Sequence, residues 1–216
     1  MSEGCCRIAV VYYSATGTVF TLAEAVREGA VAAGAQVRLR RVAEIAPASA
    51  IARNRGWREH LAATGHVPVA THEDLLWADG IVFGTPARFG NIASQLKQFF
   101  DTLTGLWARD LLVDKVYSGF TSSASAHGGQ ETTLLALYNS VYHFGGVLVP
   151  PGFKGHVDDS GGNPYGASHI TGEDGSIAVD EPALAAARAQ GHRVATMAAA
   201  LKTGLAQPRL AAGAAR

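Results

Sequence analysis

Residues Arg7–Tyr13 (RIAVVYY) form a short, continuous run of apolar, β-branched and aromatic side chains. Such a run reads as a strand buried on both faces. A polar loop, Ser14–Thr18, follows. From Val19 to Ala33, Leu22, Val26 and Ala30 recur at helical spacing, and Gly34 suits the end of that helix. Gln36–Val42 then alternates, as a second and less buried strand does. Strand, helix, strand in that order commits the chain to an α/β fold with a parallel sheet.

The pattern continues through the chain. Gly80–Gly84, Val116–Phe120 and Val147–Val149 read as three further strands, with helices expected over Ala93–Leu103 and Glu131–Phe144. A polar stretch, Arg53–His60, suggests a short helix, and Thr71 with Glu73 and Asp74 suggests the start of another. Asp180-Glu181-Pro182 opens a last helix running to about Thr203, with Gly204 to end it. These elements predict one doubly wound domain spanning 1–216, with five parallel strands, helices on both faces and frayed ends at 1–6 and 205–216. Gly152–Ser176 holds seven of the 25 glycines and shows no period. So long an irregular segment is expected to be functional or to cover something.

Composition excludes several classes of function. Lysine plus arginine and aspartate plus glutamate both number 18, which gives no electrostatic reason for nucleic acid or an acidic membrane as partner. No apolar stretch reaches the 18 or so residues of a membrane span, and the N-terminus lacks a signal-peptide pattern. The two cysteines, Cys5 and Cys6, are adjacent and allow no disulfide framework, so a cytoplasmic location is expected. The eight histidines show no metal-ligand spacing, so no metal is expected.

In a doubly wound sheet, ligands bind at the carboxyl ends of the strands where strand order reverses. That rule selects three loops. The first, Ser14-Ala15-Thr16-Gly17-Thr18-Val19, has three hydroxyls and a glycine at a helix N-terminus, with no lysine or acid. It is neither a P-loop nor a dinucleotide fingerprint. What remains is a cradle of neutral donors for one phosphate. The second, Thr85–Asn91, offers Pro86, Ala87, a cation at Arg88, an aromatic face at Phe89 and a permissive Gly90. The third comprises Ser122, Ser123, Ala124, Ser125, Ala126, His127, Gly128 and Gly129, small enough for backbone to approach a flat ring.

Together the loops resemble the FMN site of flavodoxin-like proteins. The strings YYSATGT, GTPARFGN, GGQETT and VPPGF in that order, with Leu106-Trp107 between, are similar to the WrbA family of NAD(P)H:quinone oxidoreductases. The likeness runs from about residue 7 to about residue 200. It implies FMN phosphate contacts from Ser14–Val19 and isoalloxazine contacts from Pro86–Gly90. It implies further flavin contacts from Ser122–Gly128, and from His143 across a subunit boundary. It also implies a homotetramer and a substrate pocket lined by Trp107. Thr16 stands where the family often has an aromatic residue near the nicotinamide.

The expected reaction is a ping-pong cycle: NADH or NADPH gives hydride to the flavin and leaves, and a quinone takes two electrons from the same pocket. Arg88 and His143 are the polar groups expected at the flavin edge. Flavin chemistry needs no protein nucleophile, so no catalytic side chain is assigned. Two other readings are a flavodoxin-type electron carrier, which usually needs a strongly charged docking face, and an FMN-binding regulatory protein.

Overall fold

The computed structural model describes residues 5–153 and 162–206. Six strands form one sheet: β1 (Arg7–Tyr12), β2 (Gln36–Arg41), β3 (Gly80–Pro86), β4 (Val116–Ser123), β5 (Val147–Leu148) and β6 (Ser168–Ile170). The helices are α1 (Thr18–Ala32), α2 (Ala48–Arg53), α3 (Arg55–Ala63), α4 (His72–Trp77), α5 (Ser94–Asp101), α6 (Thr104–Trp107), α7 (Gln130–Phe144) and α8 (Glu181–Ala206). The order is β2-β1-β3-β4-β5, every pair is parallel, and the order reverses beside β1. This is the expected doubly wound sheet with one difference. The position beyond β4 is shared: β5 pairs with Val116–Tyr117 at its start, and β6 with Thr121–Ser123 at its end.

Successive residues of a strand point to opposite faces, and here each face has its own core. Ala9, Val11, Ile81 and Phe83 join Leu96, Phe100 and Leu134 on one side. Ile8, Val10 and Val82 join Leu22, Val26 and Val194 on the other. That two-sided burial is why β1 is apolar throughout. On the second face α1 and α8 meet backbone to backbone. A Cβ at Gly29 would lie 1.8 Å from the Arg188 carbonyl oxygen, and one at Gly191 would lie 2.0 Å from that of Val26.

Several expected boundaries move, for physical reasons. β3 and β4 run past their apolar residues into Thr85–Pro86 and Ser122–Ser123, because buried hydroxyls are satisfied internally. Thr121 donates to the Thr85 carbonyl at 2.7 Å, and Thr85 Oγ1 accepts from the Ala93 N–H at 2.9 Å. The expected helix over Arg53–His60 is two helices parted at Asn54, which caps α3 by accepting from Trp57 N at 3.0 Å. Gly204 does not end α8, which continues to Ala206. Cys5 and Cys6 are not frayed: their thiols donate to the carbonyls of Gly34 and Ala195. Residues 1–4 and 207–216 of the expected tails, and 154–161 of the glycine-rich segment, lie outside the described residues. Among the described residues no helix is long and apolar enough to cross a membrane.

Candidate active site

The three loops converge at the carboxyl ends of β1, β3 and β4 around a cavity of about 250 Å³. In the first loop Gly17 adopts φ 111°, a backbone conformation that strains any L side chain. Its N–H is held by Ser14 Oγ at 3.1 Å. α1 has no acid in its first turn. Ser14, Ala15, Thr16, Thr18 and Val19 line the cavity, while Gly17 supplies the turn. A loop of hydroxyls at the positive end of a 15-residue helix suits an oxyanion.

The second loop is folded by its own backbone. Arg88 and Asn91 exchange N–H···O bonds of 2.8 and 3.0 Å, and the Ala87 N–H donates to the Ser122 carbonyl at 2.7 Å. At the tip, Phe89 and Gly90 have φ of 54° and 71°. A bulky residue in that region is strained and persists where its surroundings impose it. Phe89 is left fully exposed. Pro86, Ala87 and Arg88 line the cavity, and Arg88 Nη1 bonds the Ala87 carbonyl.

The third loop begins inside β4. Ser122, Ser123 and Ala124 reach the cavity, and the Ser123 hydroxyl donates to the Ser125 carbonyl at 2.8 Å. Ser125, Ala126, His127 and Gly128 continue the loop away from the cavity wall. Gly129, at φ 77°, touches the second loop: a Cβ there would lie 2.8 Å from Gly90 Cα.

Two contributors to the cavity carry no readable signal. Asn54, between α2 and α3, lines it together with Thr16. So does the turn Thr171–Gly175 beyond β6, which the Thr171 N–H ties to the Ser123 carbonyl at 2.8 Å. The described end of the glycine-rich segment thus lines the cavity of its own chain. Only the positive-φ pair Gly172 and Gly175 hints at a turn there.

Trp107 and His143 pair with each other away from the cavity of their own chain. Trp107 Nε1 donates to the His143 carbonyl at 2.8 Å, and both residues are exposed. α7 starts at Gln130 beside the cavity and rises about 1.5 Å per residue, so His143 stands about 20 Å along it. The helix ends beside the start of β4, where the Asp114 N–H donates to the Gly145 carbonyl. Neither residue reaches the cavity of its own chain.

Comparison with known proteins gives a consistent picture. The family described as NADPH-dependent FMN reductase matches residues 7–156. An NAD(P)H dehydrogenase (quinone) of Deinococcus radiodurans is 48% identical over 163 residues, 75% of this chain and 82% of that protein. One from Paracoccus denitrificans is 46% identical, covering 91% and 96% of the two chains. Among solved structures, a WrbA-like flavodoxin from Agrobacterium tumefaciens superposes with a TM-score of 0.63 at 28% identity, covering 89% of this chain and 97% of that one.

Proposed function

The chain belongs to the NADPH-dependent FMN reductase family, and from that premise we propose that its cavity is the FMN site of an NAD(P)H:quinone oxidoreductase. The protein reduces quinones with NADH or NADPH through FMN. The observation that carries this reading is the donor set at the phosphate loop. Three hydroxyls meet there at the α1 N-terminus with no acid from that helix, and the two acids that line the same cavity, Glu173 and Asp174, come from the turn beyond β6. This donor set fits a phosphate. The small residues of the third loop, with Ala87 and Gly90 of the second, leave room for a ring at the cavity mouth.

FMN supplies the two-electron relay between nicotinamide and quinone. The chain's own groups bind and orient. Ser14, Thr16 and Thr18 hold the phosphate with Ala15, Gly17 and Val19 backbone. Pro86 and Ala87 would border the ring, with Phe89 and Gly90 at the cavity mouth, Ser122, Ser123 and Ala124 opposite and Ser125–Gly128 continuing that loop beyond the wall, and the Arg88 guanidinium would balance negative charge at the ring edge or on the leaving quinol oxygen.

Trp107 and His143 stand too far from their own cavity, and so we assign them to the cavity of a second subunit in a homotetramer. Phe89, Tyr142 and Trp107 are exposed aromatics available for that contact. A single-domain protein of the cytoplasm, with its two thiols free, completes the reading. Steady-state kinetics with NADH and benzoquinone both varied tests it. Parallel double-reciprocal lines are expected for one shared pocket, and intersecting lines would contradict it.

A further inference from the structure

Glu44 lies between β2 and α2, outside all three loops, yet its half-buried carboxylate collects bonds from four parts of the chain. Oε2 accepts from the Tyr13 hydroxyl and from Trp57 Nε1, each at 2.9 Å. Oε1 accepts from Gln95 Nε2 at 2.9 Å and from the N–H groups of Ile45 and Ala46 at 3.0 and 2.9 Å. Gln95 Nε2 also donates to the Tyr13 hydroxyl at 2.9 Å. The Ser94 hydroxyl donates to Gln95 Oε1, which sets that amide's orientation.

The three side-chain donors are not a random set. Tyr13 directly precedes Ser14 and ends the strand that delivers the phosphate loop. Gln95, only 8% exposed, opens α5, the helix into which the Pro86–Asn91 loop runs. Trp57 stands in the first turn of α3, the helix that carries Asn54 into the cavity. α3 lies against the phosphate loop: a Cβ at Gly56 would meet Thr16 Cγ2 at 3.7 Å, and one at Gly17 would meet His60 Nδ1 at 3.5 Å. One carboxylate thus joins the supports of two loops and of the α3 wall.

We propose that Glu44 is a positioning residue for the FMN site, locking the phosphate loop, the Pro86–Asn91 loop and α3 into one binding-ready frame. The proposal rests on the reading of the cavity as an FMN site. Burial alone raises the Glu44 pKa, but the bonds from Gln95, the Ala46 N–H, Tyr13 and Trp57 outweigh it and hold the group below its ordinary value. The ionised form is therefore the one that the frame is built on. An acceptor-only group is required, because the Trp57 indole and the two backbone N–H groups can only donate.

That requirement yields a specific test. In Glu44→Gln one oxygen becomes an NH2. On the Oε1 side it would oppose two backbone N–H groups and the Gln95 amide. It must therefore take the Oε2 side, where the Tyr13 hydroxyl can turn to accept but Trp57 N–H cannot. Removing that donor with Trp57→Phe relieves the conflict. FMN affinity is measured by quenching of flavin fluorescence on titration into apoprotein, for wild type, E44Q, W57F and the double variant. We expect E44Q to bind FMN about tenfold or more weakly, W57F, which loses the α3 tie alone, to bind severalfold more weakly, and the double variant to bind within about threefold of W57F. Additive losses, or E44Q binding FMN as wild type does, would overturn the proposal. Wild-type protein that takes up no FMN would instead overturn the flavin reading, and the proposal with it. Apoprotein melting temperatures for all four separate a lost frame from a lost fold. An E44Q that fails to fold while the double variant folds and binds supports the proposal through the rescue; failure of both overturns it.

Discussion

Gln190 in α8 gives the sharpest stability prediction. It is fully buried in an alanine-rich helix. Its Nε2 donates to Ser118 Oγ and to the Gly119 carbonyl, both at 2.7 Å, and its Oε1 accepts from the Ala167 N–H at 2.8 Å. Ala167 directly precedes β6, so this amide pins the strand that leads to the Thr171–Gly175 wall of the cavity. Gln190→Leu keeps the volume roughly and removes all three bonds. The Ala167 N–H and the Gly119 carbonyl then lose a buried partner. At about 1–3 kcal/mol for each unsatisfied group, the cost is about 2–6 kcal/mol. Against a total stability of about 5–15 kcal/mol that is large. For a chain of this size it corresponds to a fall in Tm of about 4–24 °C. Calorimetry and urea titration of the apoprotein measure it, and FMN affinity should fall with it. A shift under about 2 °C would refute the bridging role.

Three further outcomes are expected. Gly191→Ala sets a Cβ 2.0 Å from the Val26 carbonyl oxygen. Backbone cannot yield as a side chain does, so denaturant titration should show a loss of about 1–3 kcal/mol or more. Burial pushes the Asp74 carboxyl up, but bonds from Thr71 and the Arg40 guanidinium outweigh it and hold its pKa below the ordinary value. A carboxyl lowered in the folded state stabilises above its unfolded value and loses that contribution as pH falls through the folded one. Stability should therefore drop below about pH 4, and less steeply in Asp74→Asn. Trp107→Ala should raise the KM for benzoquinone at least several-fold while leaving the FMN content of a single chain's cavity nearly unchanged. Loss of flavin with the quinone KM intact would place Trp107 in the fold and not in the substrate pocket.

The parts legible in the sequence were those governed by local periodicity. β1, α1, α5 and α7 announce themselves because two-sided burial makes a strand continuously apolar and one-sided burial gives a helix its stripe. The three loops were legible because small, hydroxylated and glycine residues follow apolar strands there. β6 was not, since three residues, Ser168–Ile170, owe their place to Gln190 and Ser123 rather than to any pattern of their own. Glu44 was invisible for a similar reason: its side-chain partners lie 13 to 51 positions away. The distance of Trp107 and His143 from the cavity follows from the length and direction of α7, which a motif match does not report.

The most direct test of the account is anaerobic stopped-flow absorbance. FMN-loaded protein is mixed with NADH, and separately with NADPH, and then with benzoquinone. The account predicts rapid bleaching of the flavin band by at least one nucleotide and its prompt return with quinone. A band that stays oxidised with both nucleotides would contradict it and leave an electron carrier awaiting a protein donor.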